Sequence, residues 1–449
     1  MALPPFLPAS PARPLLRRLI MAGLQAADPC RGLLRLMSRR GQLLQIGQTV
    51  YDLSRYNRLL VVGAGKASAR MGQPIESILG PRLEGGLIVV KTGHGMPLSR
   101  ITVVEAGHPL PNRAGLQAAA RVKALVGDLT SRDLLFVLLS GGASSLLPAP
   151  APGLTLRDKQ RTTDLLLRSG AAIEEINTVR KHLSQLKGGG LALSTRATII
   201  TLILSDVMGD DLGTIGSGPT APDPTTFADA IDVLKRYKIW RTVPRAVRRH
   251  LLRGLTGAVP ETLKPGASRL RRVRHVFIAN NRTMIETVAR TAKQAGLHTR
   301  LLPTPLLGEA RTEAARFINM AKGLLRKQKA SGLRRPACLI AGGEPTVTVT
   351  GRGKGGRTQE FATAAALHLQ GIPRAWLAAM GSDGTDGPTD AAGAVVTGDT
   401  VATAQSLGIN LRSALRRHDT YHALRTLGCH IRTGPTGTNV NDLYLLLLL

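Results

Sequence analysis

LLFVLLSGGASS, residues 134–145, is the stretch whose character settles the architecture. Leu134–Leu139 is an unbroken apolar run, as a strand needs when both faces of a parallel sheet are covered. The run halts at Ser140-Gly141-Gly142-Ala143-Ser144-Ser145, a turn of glycines and hydroxyls. The same pairing of strand and small-residue turn recurs upstream. Arg58–Val62 leads into Gly63-Ala64-Gly65-Lys66-Ala67-Ser68, Leu87–Val90 into Lys91-Thr92-Gly93-His94-Gly95, and Ile101–Glu105 into Gly107-His108-Pro109. Downstream, Thr198–Leu204 ends at Ser205-Asp206. Helical stretches over residues 113–126 and 156–169 fall between these strands. Such alternation predicts an open α/β sheet with its ligands along the carboxyl ends of the strands.

At 449 residues the chain is too long for one ordinary core. Two domains are expected, residues 1–262 and 263–449, with the basic stretch Lys235–Arg274 forming helices and the connection. The second α/β unit begins with His275–Ala279 and includes AGGEPTVTVTGRGKGGRTQE, residues 341–360. Within that stretch Val347–Thr350 alternates as a half-buried strand does. Gly351–Arg357 is a flexible cationic loop, Thr358 is a candidate N-cap, and a helix follows. A free helix N-terminus there would favour an anion. Trp376–Met380 is a further strand, and Leu443–Leu449 reads as a buried last one.

Composition narrows the function. Lys+Arg 60 against Asp+Glu 29 gives a formal charge of +31, which attracts polyanions, yet aromatics make up only 3%. Stacking platforms for single strands are therefore scarce, and no specific nucleic-acid partner is expected. Cys30, Cys338 and Cys429 are far apart and form no CxxC, which argues for a reducing compartment without disulfides. No HExxH occurs, so zinc is not expected. No apolar run reaches the ~20 residues that span a bilayer. The acid-free first 27 residues, with Arg13, Arg17 and Arg18, fit a mitochondrial presequence. A proline-rich start before an amphipathic helix, in a cytoplasmic protein, is the preferred reading.

The turns carry the chemistry. Gly63–Ser68 holds two glycines of GxGxxG, but Ser68 stands at the third and Lys91 where a ribose-binding acid belongs. Lys66 is a cation at a strand-to-helix turn, able to hold a carboxylate or a transferring phosphoryl group; the plainer reading is a solvated first-turn lysine. Gly141 and Gly142 with the Ser144 and Ser145 hydroxyls form a phosphate cradle, and lack the GxSxG of a nucleophile elbow. Asp206, with Asp210 and Asp211 behind it, offers a carboxylate for a proton or for Mg²⁺. Asp383, Asp386 and Asp390 are acids for a metal or for loop capping. Phosphate cradles, fixed cations and a few acids are what phosphoryl transfer requires of a protein.

The blocks VVGAGKAS, EAGHPLPN, LLSGGASSLLPAP, INTVRKHLSQLKGGGLA, LILSDVMGDDLGTIGSGPTAPDPTTF, AGGEPTVTVTGRGKGGRTQE, GSDGTDGPTDAAGA and TGPTGTNVND, in that order, resemble the MOFRL-type (class II) glycerate 2-kinases. Members of that family were formerly labelled hydroxypyruvate reductases. The resemblance implies a Rossmann-like first domain, a smaller α/β second domain and an active site in the cleft between them. It implies ATP-dependent phosphorylation of D-glycerate at the 2-hydroxyl with Mg²⁺. The family's lysine and arginine fall on Lys66 and Arg357. Lys187 is a further candidate phosphate contact, Asp206 the candidate base and Asp386 the candidate for indirect metal binding. Ala143 replaces the usual third glycine of the serine loop, and Thr358 the usual asparagine after the arginine. A homodimer is the assembly to test. The rivals are an NAD(P)H-dependent hydroxypyruvate reductase and a nucleic-acid binder using Lys235–Arg274.

Overall fold

The computed structural model describes residues 12–326 and 332–449. Six strands, Leu59–Ala64 (β1), Gly85–Lys91 (β2), Ile101–Ala106 (β3), Leu134–Leu139 (β4), Thr198–Leu204 (β5) and Val273–Ala279 (β6), form one sheet in the order β3-β2-β1-β4-β5-β6. The β1–β2, β1–β4, β2–β3 and β4–β5 pairs are parallel. β1 and β4 are buried at every residue, as their unbroken apolar sequences require. This is the doubly wound order, in which connections leave in opposite directions from the middle of the sheet. The reversal lies between β1 and β4. There Ala64 is paired with Leu139, so the turns after the two strands emerge side by side.

This sheet belongs to a compact unit spanning Gly32–Ile278. The boundary differs from the expected residue 262 because β6 is the sheet's sixth strand, and Leu263, Leu270, Val273 and Phe277 pack into its core. The unit also carries a three-stranded antiparallel sheet over residues 37–52. Several cations of the basic stretch are used within the unit. Arg269 donates to the Ala192 and Ala197 carbonyls, both at 2.7 Å, and Arg236 pairs with Glu175 at 2.5 Å.

The second unit combines residues 279–449 with the chain before Gly32. Helix Ala12–Ala27 packs on helix Asn281–Gln294, with Gly23 against Val288 and Met284. The residues before it lie outside the described ones. Strands His298–Leu301 (β7), Ala337–Gly343 (β8), Ala375–Gly381 (β9), Gly393–Thr397 (β10), His430–Ile431 (β11) and Asp442–Leu448 (β12) are ordered β7-β8-β12-β9-β10-β11. The leucine-rich β12 lies in the middle, buried throughout and antiparallel to both β8 and β9. Val347–Thr350 is not the strand its alternation suggested. β8 ends at Gly343, only Thr346 forms a bridge, to Glu309, and Val349 is 65% exposed. Among the described residues no helix is long and apolar enough to cross a membrane.

Candidate active site

At the β1/β4 switch point the Lys66 turn and the serine turn are tied together. The Lys66 N–H donates to the Gly141 carbonyl at 2.8 Å, and the Ala67 N–H to the Ser140 hydroxyl at 3.0 Å. The half-buried Lys66 amine has no hydrogen-bond partner among the described residues. The same holds for the N–H groups of Gly141 and Gly142. Neither position tolerates a side chain. A Cβ on Gly141 would fall 2.1 Å from Oδ2 of Asp206, and Gly142 sits at φ +88° with His108 2.8 Å from its Cβ position. Ala143 needs no glycine freedom, because it is the first residue of the helical turn Ala143–Leu146.

The serine hydroxyls, expected to face phosphate, are used within the loop. Ser145 Oγ donates to the Gly142 carbonyl at 3.1 Å, and Ser144 Oγ lies 2.9 Å from Ser217 Oγ. Lys187 likewise bonds to the loop itself. Its Nζ donates to the Ser144 carbonyl at 2.7 Å and to Ser144 Oγ at 2.8 Å. Burial, then the charges of Lys159 and Arg180, holds this amine well below the usual lysine range. Lys187 therefore anchors the cradle from beneath, while the glycine N–H groups remain for an anion.

In the second unit, Arg357 opens helix Arg357–Leu369 and is held by two carboxylates. Nε and Nη2 reach Oδ2 and Oδ1 of Asp442 at 2.7 and 3.0 Å, and Nη1 reaches Glu344 at 2.9 Å. Register explains the convergence. Asp442 starts β12 opposite Gly343 on one side and Gly381 on the other, at the carboxyl ends of β8 and β9. Burial pushes Asp442 up to about 7, against the opposing pull of the guanidinium. Tyr444 donates to Asp442 Oδ2 at 2.9 Å. The sequence reading missed both acids.

The expected open helix N-terminus is already filled. Asp386 accepts from the N–H groups of Thr358 and Gln359 at 3.0 and 2.9 Å and from the Gln359 side chain at 3.0 Å. With both oxygens spent on this cap and the carboxyl buried, Asp386 is a helix anchor rather than the metal carrier expected of it. Thr358 does not cap; it is fully buried, and Gly356 holds the N-cap position. The preceding glycine loop is fastened too. Gly353 N–H donates to the Arg417 carbonyl and Lys354 N–H to Asp419, both at 3.1 Å. Among the described residues no group of three or more His, Cys, Asp or Glu is placed to hold a metal ion.

Two family models match this chain: a domain of unknown function (DUF4147) over residues 15–252, and the MOFRL family over residues 337–442. The chain is 42% identical over 427 residues to the glycerate 2-kinase of Pyrococcus horikoshii, covering 95% of each protein. It is 43% identical over 390 residues to the D-glycerate 2-kinase of Thermotoga maritima, covering 86% of this chain and 90% of that protein. The crystal structure of Thermotoga maritima glycerate kinase matches with a TM-score of 0.86 at 37% identity, covering 98% of this chain and 99% of that one.

Proposed function

Because this chain belongs to the MOFRL-type glycerate 2-kinase family, we propose that it transfers the γ-phosphoryl group of ATP to the 2-hydroxyl of D-glycerate, giving 2-phosphoglycerate and ADP. The observation that carries this reading is that two turns tied together at the switch point hold the Lys66 amine and the Gly141 and Gly142 N–H groups, none of which has a hydrogen-bond partner among the described residues. That is a preorganised seat for phosphoryl oxygens, where charge develops in transfer.

Gly141 and Gly142 hold nucleotide phosphate through their backbone, on a loop shaped by Ser144, Ser145 and Lys187. Lys66 and Arg357 bind the glycerate carboxylate or the phosphoryl group in transit. A guanidinium has five N–H donors, of which three are spent on Asp442 and Glu344, so its plane is fixed and two remain. The new bond joins the glycerate 2-oxygen to the γ-phosphorus as the bond to the ADP oxygen breaks. Asp206 accepts the hydroxyl proton. Mg²⁺, when bound, neutralises charge on the phosphates. The donor set fits an ion that would be held mainly by those phosphates, with the Asp206 carboxylate beside Gly141 available to it.

Incubating the purified protein with ATP and D-glycerate tests this reading, with the product resolved by phosphorus NMR. ATP-dependent 2-phosphoglycerate is expected. Absence of that product, together with NADPH oxidation on adding hydroxypyruvate, would replace the kinase with the reductase.

A further inference from the structure

His108 stands at the same carboxyl edge of the first sheet as Lys66. It follows β3, and its ring lies against the serine turn: a Cβ on Gly142 would be 2.8 Å from its Cδ2 and 2.9 Å from its Nε2. The loop after β2 completes the wall. His94 Nδ1 is 3.2 Å from the Lys66 carbonyl, Thr92 N–H donates to the Ala106 carbonyl at 3.1 Å, and Gly93 and Gly95 N–H donate to Glu105 at 3.1 and 3.0 Å. Three consecutive carboxyl-end loops are thus fastened to one another around Gly141 and Gly142.

Half-buried as it is, the His108 ring has no hydrogen-bond partner at either nitrogen among the described residues. A partly desolvated polar group without a partner is costly unless something else meets it. The charges near it are cationic. Burial, then Lys66, Lys91 and His94, lowers its pKa to about 4, so the ring is neutral at neutral pH and carries one N–H. Of the acids at this edge, Glu105 is engaged by the Gly93 and Gly95 amides and Asp206 lies against Gly141. A neutral donor among cations suits an oxyanion, whose arrival would relieve their mutual repulsion.

We infer that His108 is a substrate-binding residue that donates its ring N–H to the oxyanion held by Lys66. That oxyanion is either the carboxylate of the hydroxy acid or the phosphoryl group in transit; its identity rests on the kinase reading, the seat itself does not. The inference is tested on the full chain with His108→Ala and His108→Gln. If the carboxylate is the ligand, His108→Ala raises the KM for D-glycerate about 10-fold or more, as loss of one hydrogen bond to a charged group does. His108→Gln, which keeps an N–H, recovers part of that loss, and the KM for ATP stands. If the phosphoryl group is the ligand, kcat or the KM for ATP moves instead. All three constants within about twofold of wild type would overturn the inference and leave the ring as filling beside Gly142.

A second measurement needs neither folded variants nor turnover. In wild-type protein labelled at histidine, the ring resonance absent from His108→Gln should shift on adding D-glycerate alone or a non-hydrolysable ATP analogue alone. Should that variant not fold, only the wild-type spectrum is read, and no histidine shift with either ligand overturns the inference. A shift with D-glycerate in a protein that forms no 2-phosphoglycerate would keep the seat and remove the kinase reading.

Discussion

Arg357 is neutralised before any substrate arrives, with Asp442 bidentate and Glu344 on its remaining side. That arrangement fixes the guanidinium plane, so an incoming anion meets donors already aimed. Lys66 has the opposite design: its amine has no partner among the described residues, and its position comes from the backbone of its turn. Lys66→Ala and Arg357→Ala should each lower kcat by about 10²–10⁴-fold; Lys66→Ala should leave the denaturant midpoint near wild type, whereas Arg357→Ala should lower it by leaving the buried Asp442 without its partner. Arg357→Lys should not restore activity, because an ammonium cannot make the planar, two-armed contact with Asp442. Wild-type turnover in any of the three would remove these assignments. Lys66 stood out in the sequence as a single cation in a glycine turn, whereas Arg357 was one of three cations in its loop and was singled out by the family resemblance. Asp442 and Glu344 were not, because their convergence depends on β12 running antiparallel between β8 and β9, which no local pattern reveals.

Helix Arg357–Leu369 is buried along nearly its whole length, and its placement depends on a cap from another loop. Asp386→Asn should cost about 1–2 kcal/mol of stability in denaturant titration. The Mg²⁺ concentration giving half-maximal rate should hold, whereas a large rise would restore the metal role. The sequence pointed to Thr358 as the cap because it stands at the helix start, but the actual cap lies far along the chain. β11 carries a second test. His430 stacks on Tyr421 with ring centroids 4.8 Å apart, is buried, and has no partner at either ring nitrogen among the described residues. Burial, then the Arg432 charge, lowers it from 6.5 to about 4. At this site the folded state binds fewer protons than the unfolded one between these values, so the His430 contribution to stability falls as pH drops through about 6.5 to 4. His430→Phe should flatten that fall, measured by denaturant midpoints at pH 7 and pH 5. The residual slope belongs in part to His108, which is shifted the same way. An unchanged slope would show that His430 is not the titrating group.

Across the whole chain, the alternation of apolar runs and glycine turns was enough to foresee the α/β class. Leu134–Leu139 and Thr198–Leu204 fall where they were read. The division of the chain was not legible. Residues 263–278 complete the first sheet and helix Ala12–Ala27 belongs with the second unit, both consequences of packing across long sequence separations. The formal charge of +31 has no structural explanation. We propose that Lys66 and Arg357 stabilise one transition state. It is tested most directly by kcat/KM for D-glycerate in Lys66→Ala, Arg357→Ala and the double variant. Groups acting on one transition state are strongly non-additive, so the double variant should fall no more than about tenfold below the worse single one. Losses that simply multiply would contradict the account.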